Sequence, residues 1–195
     1  MPRKSRMFLD GGYYHLIARG NNRMYLFGVK DGFKVFKEYL SESKIKFNWK
    51  LSHYCLMSNH VHLLGQIETG KDLPRLMQFL LFGYSRWYRE QTKYLGHVWQ
   101  GRYKSPLIEK ESYFLECGRY IERNPGRAKM VDSPEDLAYS SYRVYAYGRK
   151  DDLVSLSVAY LGISEDERVR QEVYRNRVEA TRPYEEILDK KLMHG

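Results

Sequence analysis

Two histidines stand two residues apart in the run Leu56-Met57-Ser58-Asn59-His60-Val61-His62-Leu63-Leu64. Side chains alternate faces along a strand, so both imidazoles fall on one face. A pair of imidazoles on an apolar strand suits a metal ion, which then needs a third ligand from elsewhere in the chain. The competing reading is a pair of core histidines satisfied by neighbouring polar groups, and the spacing alone leaves both open. A second constellation is Arg119-Tyr120-Ile121-Glu122-Arg123-Asn124-Pro125. Tyr120 and Asn124 are four residues apart, hence on one helical face about a turn apart. A phenol can attack a phosphodiester and keep the product as an ester. An amide oxygen one turn later can complete a divalent-cation site with two imidazoles, where the cation would polarise the phosphate. Taken alone, the segment reads more simply as a core tyrosine followed by a helix-ending Asn-Pro.

The elements that must position these residues follow from periodicity and punctuation. Tyr13 to Arg19 reads as a strand closed by Gly20-Asn21-Asn22, and Asp31 to about Lys44 as an amphipathic helix. Asn48 to Met57 reads as a second strand, joined by Ser58-Asn59 to the histidine strand, which ends near Ile67. Asp72 to about Lys93 reads as a long helix with Asp72 as its cap. Lys104 to Ile108 reads as a short fourth strand, and Ser112 to about Asn124 as a helix closed by Pro125-Gly126. Leu137 to Tyr147 reads as helical, and Ser164 to about Ala180 as a tail helix opened by the capping pattern Ser164-Glu165-Asp166-Glu167. The order strand, helix, strand, strand, helix, strand predicts an α+β fold, a ferredoxin-like split βαβ sandwich with a central antiparallel sheet. The His-x-His pair then lies on a central strand. Residues 1–148 are expected to form the catalytic domain and 149–195 a helical C-terminal extension.

Charge separates the two parts. Residues 1–150 hold 26 basic and 14 acidic side chains, and residues 151–195 hold 7 basic and 10 acidic. An anionic partner is expected on the first part, with nucleic acid ahead of an acidic protein. Candidate contacts are the arm Arg3 and Lys4, then Arg19, Asn21 and Arg23 after the first strand, then Arg102, Tyr103 and Lys104. The last group mixes cations with an aromatic ring, as phosphates and stacked bases require. Trp87 and Tyr88 read as packing residues, and His15, His53, His97 and His194 lack the paired spacing. Cys55 and Cys117 make neither a CxxC pair nor a disulfide framework. The basic start leads into no long apolar run, and no stretch suits a bilayer span, so a soluble cytoplasmic protein without membrane association is expected.

Together these segments resemble the REP-associated tyrosine transposases, a branch of the HUH single-strand nucleases with one catalytic tyrosine. Tyr14-His15-Leu16-Ile17-Ala18-Arg19-Gly20-Asn21 is similar to the family's opening strand and turn. Cys55 to Leu64 is similar to its histidine strand, Gly96 to Ser105 to the loop before its fourth strand, and Arg119 to Ala128 to its catalytic helix. Ser140-Ser141-Tyr142 matches a further short signature, and the resemblance spans roughly residues 1–148. Position 126 is Gly where many relatives have Val.

The resemblance implies that Tyr120 is the nucleophile and that His60, His62 and Asn124 are the metal ligands, Asn124 standing where some related transposases have Gln. It implies Mg2+ or Mn2+, single-stranded or hairpin DNA as substrate, a 5′-phosphotyrosine product with a free 3′-hydroxyl, and no small-molecule organic cofactor. On the residues alone, two imidazoles and an amide also suit Zn2+. A metal-dependent nuclease that uses water, and a non-catalytic nucleic-acid-binding module, are the alternatives. Monomer and helix-swapped dimer both remain open.

Overall fold

The computed structural model describes residues 8–109 and 111–180. β1 (Tyr13–Arg19), α1 (Gly32–Phe47), β2 (Trp49–Met57), β3 (His60–Ile67) and α2 (Leu73–Thr92) follow in the expected order. The strands pair antiparallel in the order β1-β3-β2, so the histidine strand is central. The alternation of side chains along these strands splits the core in two. Leu16, Leu56, Val61 and Leu63 on one face pack against Phe36 and Leu40 of α1 and Leu76, Met77 and Leu80 of α2. Cys55, Met57 and Leu64 on the other face pack against Phe114, Cys117, Tyr120 and Ile121 of α3 (Glu111–Arg127). This is the expected ferredoxin-like α+β sandwich, with a third helix laid on the face that carries the histidines.

Several expectations are corrected. Lys104 to Ile108 forms no continuous strand. It runs along the free edge of β1 through isolated bridges, Ile17 to Lys104 and Tyr14 to Leu107. The Pro106 carbonyl accepts from the His15 amide at 3.0 Å, but proline has no N–H to return, so the ladder is interrupted. Asp72 makes no side-chain cap on α2; its carboxylate accepts from Arg75 at 3.2 Å instead. α3 does not stop at Asn124 but runs through Pro125 to Arg127. Proline is tolerated there because only the last turn loses a backbone bond. Leu137 to Tyr147 is helical only over α4 (Tyr142–Tyr147). Residues 139–141 are drawn out along the open edge of β2, where Leu56 N donates to Tyr139 O and Ser141 N to Tyr54 O, each at 2.9 Å. That edge offers unpaired backbone groups, and the segment satisfies them.

The tail contains α5 (Val158–Leu161) and α6 (Glu167–Glu179). Asp166, not Ser164, caps α6, accepting from Arg168 N at 2.7 Å and Val169 N at 3.4 Å. Tyr160, Tyr174 and Val178 form a buried cluster with Leu115 of α3 and Tyr142 and Tyr145 of α4. Leu153 enters the main core, and Ser155 N donates to Leu51 O of β2 at 2.7 Å. Trp87 and Tyr88 pack against the core, as expected.

Candidate active site

The site lies between the histidine face of the sheet and α3. The register sets Arg19 opposite His60 and Ile17 opposite His62 across β1 and β3, and Met57 and Cys55 opposite the same two across β2. His62 is therefore fully enclosed, while His60, at the start of β3, keeps partial access to solvent. Their rings meet edge to face, with centroids 4.9 Å apart. Tyr120, 7% exposed, presents its ring edge-on to His62 at 5.9 Å. The sequence pairing of a His strand with a Tyr helix thus becomes a spatial one, within a single chain.

Asn124 is half-buried one turn beyond Tyr120, and its Nδ2 donates to the Tyr120 carbonyl at 3.1 Å. That bond turns the amide and leaves Oδ1 as its acceptor end. His60 Nδ1 lies 2.6 Å from Asn59 Oδ1. An amide oxygen only accepts, so His60 carries its proton on Nδ1 and its lone pair on Nε2. Asn59 Nδ2 faces Arg23 O at 3.4 Å, in agreement with that orientation. His62 Nδ1 is also engaged, and its Nε2 is buried with no hydrogen-bond partner among the described residues.

Both imidazoles are held neutral. Burial pushes the His60 pKa down to about 4, with the Arg19 guanidinium adding to the effect. Burial pushes His62 well below the ordinary range, followed by His15, His60 and Arg19. A neutral imidazole with its Nδ1 proton tied down and a lone pair on Nε2 is the form in which histidine binds a metal, and His60 has that form. Among the described residues no group of three or more His, Cys, Asp or Glu side chains is arranged to hold a metal. A site here would depend on the Asn124 amide as its third protein donor.

His15 also belongs to this cluster, although it lacks the paired spacing in sequence. His15, 0% exposed, stacks on His62 with ring centroids 5.1 Å apart, and meets Tyr120 edge-on at 5.9 Å. Its Nε2 is 2.9 Å from His62 Nδ1. The available signal was its parity: His15, Ile17 and Arg19 share one face of β1. His53 is likewise buried, but in a separate polar cluster. Its Nδ1 pairs with Glu122 Oε1 at 3.0 Å, Ser141 donates to the same oxygen at 2.6 Å, and Tyr174 donates to Oε2 at 2.7 Å. His97 is exposed, and His194 lies outside the described residues. Tyr113, on α3, is 39% exposed and stands apart from the histidine pair's ring contacts.

The expected DNA contacts converge on one rim. Gly20 N donates to Asn59 O at 2.8 Å, Asn21 N to Val98 O at 2.9 Å, and Gln100 N to Arg19 O at 2.7 Å. These bonds bring the Arg19–Arg23 turn, the β2–β3 turn and the loop bearing Arg102, Tyr103 and Lys104 to the end of the sheet where His60 stands. Arg23, Arg102 and Lys104 are exposed, while Arg19, Asn21 and Tyr103 are half-buried. Gly101, at φ 68°, gives the loop a left-handed turn between Gln100 and Arg102. Arg3 and Lys4 lie outside the described residues.

The sheet sets a histidine pair against a tyrosine-bearing helix beside a basic rim, and the class this chain matches is that of the transposases. The chain belongs to the IS200-like transposases, whose family model matches residues 9–124. A REP-associated tyrosine transposase of Haemophilus influenzae is 23% identical over 161 residues, which cover 73% of this chain and 86% of the relative. The fold is similar to that of a REP-associated tyrosine transposase solved bound to a REP hairpin. The TM-score is 0.63 at 18% identity, and the match covers 80% of this chain and 96% of that one. No helix among the described residues is long and apolar enough to cross a membrane.

Proposed function

We propose that this transposase is a metal-dependent single-strand DNA endonuclease and strand transferase. Its substrates are hairpin-forming repeats, and it works through a 5′-phosphotyrosine intermediate. The carrying observation is the approach of Tyr120 to His62, 5.9 Å between rings, where His62 Nε2 is buried without a hydrogen-bond partner. His60, His62 and Asn124 would hold Mg2+ or Mn2+, a donor set that fits a divalent cation with its remaining positions filled by water or phosphate. The bound cation would polarise the scissile phosphate and offset its developing charge.

Tyr120 is the nucleophile in this reading. Its hydroxyl oxygen forms a bond to phosphorus and releases the phenolic proton to water, while the bond from phosphorus to the 3′ oxygen breaks and that oxygen takes up a proton from water. The products are a 5′-phosphotyrosine and a free 3′-hydroxyl, so no nucleoside triphosphate is needed to rejoin the strand. Arg19, Asn21, Arg23, Arg102, Tyr103 and Lys104, with the Arg3 and Lys4 arm, would hold backbone phosphates and unpaired bases. Residues 1–148 carry the chemistry as the catalytic domain. Residues 149–195 are a C-terminal extension, of which the described part, through Ala180, is helical and braces α3, and the enzyme works in the cytoplasm.

The test is incubation with hairpin-forming single-stranded DNA and Mn2+, followed by peptide mapping of the covalent product. A nucleotide on the peptide containing Tyr120, lost in Tyr120→Phe with DNA affinity retained, is the expected result. Cleavage without any adduct would move the enzyme to water-based hydrolysis, and an adduct on Tyr113 would reassign the nucleophile.

A further inference from the structure

We propose that His15 is a positioning residue: it accepts a hydrogen bond from His62 Nδ1–H and so holds His62 in the one neutral tautomer whose Nε2 can act as a ligand. The inference rests on the reading of His62 as a metal-site residue. The two strands dictate the contact. His15 pairs with Leu64 and Ile17 with His62, so His15 is the diagonal neighbour of His62 on the same sheet face. Both side chains are 0% exposed, their rings are within 24° of parallel, and the Nε2 to Nδ1 distance is 2.9 Å.

Only one proton can lie between two ring nitrogens. If it belongs to His15 Nε2, the neutral His62 ring must carry its own proton on Nε2, as a buried donor without an acceptor. That tautomer also presents a proton where a ligand lone pair is required. If the proton belongs to His62 Nδ1, His15 Nε2 accepts it, the neutral His15 ring carries its own proton on the buried Nδ1, and His62 Nε2 keeps its lone pair. The neighbouring histidine supports the second arrangement. His60 is held through Nδ1 by the Asn59 amide oxygen at 2.6 Å. His15 would do for His62 what Asn59 does for His60, so both rings turn their Nε2 atoms to the same use. His15 also fills space against Tyr120. A variant must therefore preserve bulk to isolate the hydrogen bond.

Two substitutions separate the roles. His15→Gln places an amide oxygen near the position of Nε2 and can still accept. His15→Phe keeps the ring and removes the acceptor. Imidazole nitrogen NMR on the metal-free protein should show His62 protonated at Nδ1 and bare at Nε2 in the parent and in His15→Gln, with that state lost in His15→Phe. Mn2+ alone, titrated by electron paramagnetic resonance, should bind about 10–100-fold more weakly to His15→Phe, the usual cost of losing an outer-shell partner, and within a few-fold of the parent to His15→Gln. A His62 proton on Nε2 in the parent protein overturns the proposal, and so does a His15→Phe variant that binds Mn2+ as tightly as the parent. His62→Ala distinguishes the two levels of the argument. If it leaves Mn2+ binding intact, the metal-site reading fails, and the tautomer measurement alone decides the role of His15. Should His15→Phe fail to fold, the parent tautomer and the His15→Gln titration decide.

Discussion

Tyr174→Phe should destabilise the protein through a single hydrogen bond made far from the histidine strand in sequence. Tyr174 is 0% exposed, and its hydroxyl donates to Glu122 Oε2 at 2.7 Å. Glu122 is 1% exposed, and His53 and Ser141 approach only its other oxygen, Oε1. Phenylalanine keeps the ring contacts with Tyr145 and Tyr160, so the substitution removes the donor and little else. A hydrogen bond to a charged acceptor contributes about 1.5–3 kcal/mol, and an oxygen left buried without its donor retains the cost of desolvation. We expect a loss of about 2–3 kcal/mol, equivalent to a fall in Tm of roughly 5–10 °C for a chain of this size. Guanidinium denaturation of Tyr174→Phe, Glu122→Gln and the double variant closes a cycle that isolates the pair. A single variant within about 0.5 kcal/mol of the parent, or a coupling near zero, would refute the claim that α6 holds α3 through this carboxylate.

Truncation after Gly148 should prevent cooperative folding. It removes Leu153, Tyr160, Tyr174 and Val178, each at most 5% exposed. At about 2 kcal/mol per side chain the loss is roughly 8 kcal/mol, comparable to the whole stability of a domain; a sharp melting transition in the 1–148 fragment would contradict this. Acid should destabilise the metal-free protein before its carboxylates titrate. The folded His60 pKa, about 4, lies below the unfolded value, so the unfolded chain takes up the proton first. That stability is complete above about pH 6.5 and declines as the pH falls toward the folded pKa, by about 2 kcal/mol for His60 at roughly pH 5. Urea midpoints across this range should fall less in His60→Gln than in the parent; parallel curves would rule out the assignment. Arg102→Ala and Lys104→Ala should each weaken hairpin binding and lower the salt slope by about one, and an unchanged slope in filter-binding titrations would remove that loop from the DNA path.

Local pattern carried much of this structure in advance. Period-two alternation located β1, β2 and β3, and the strand-helix order put His60 and His62 on the central strand. Tyr120 facing them was legible only by resemblance, since nothing in residues 119–125 says which sheet face α3 covers. The misreadings of His15 and of residues 139–141 share a cause: each depended on a partner distant in sequence. His15 was discounted for lacking a neighbour two residues away, yet its partner is His62, 47 residues on and one strand over. Residues 139–141 looked helical because Leu137 and Tyr142 suit a helix, but the open edge of β2 claimed their backbone. Nothing in residues 119–125 marks Glu122 as a buried carboxylate. Its burial follows from His53, Ser141 and Tyr174, three residues from three separate elements.

That distribution of contacts bears on how the Tyr120 phenol is aimed. α3 meets the sheet with a glycine, since a Cβ at Gly118 would lie 2.7 Å from the His53 ring, inside contact distance. Two residues after the glycine comes Tyr120, and two after that Glu122. Successive residues turn about 100° around a helix, so Tyr120 and Glu122 leave the axis in different directions. One is sent to His15 and His62, the other to His53, Ser141 and Tyr174. The helix is therefore fixed in height by Gly118 and in rotation by Glu122. The tail adds further bonds on the outer side. Arg177 pairs with Glu116 at 2.7 Å, Arg119 donates to Arg177 O at 2.6 Å, and Arg123 donates to Ala180 O at 2.7 Å. A phenol on a helix free to roll by one residue would swing away from the histidine pair. Here His53, the 139–141 edge and α6 each oppose that roll, and none of them has to enter the proposed reaction to do so.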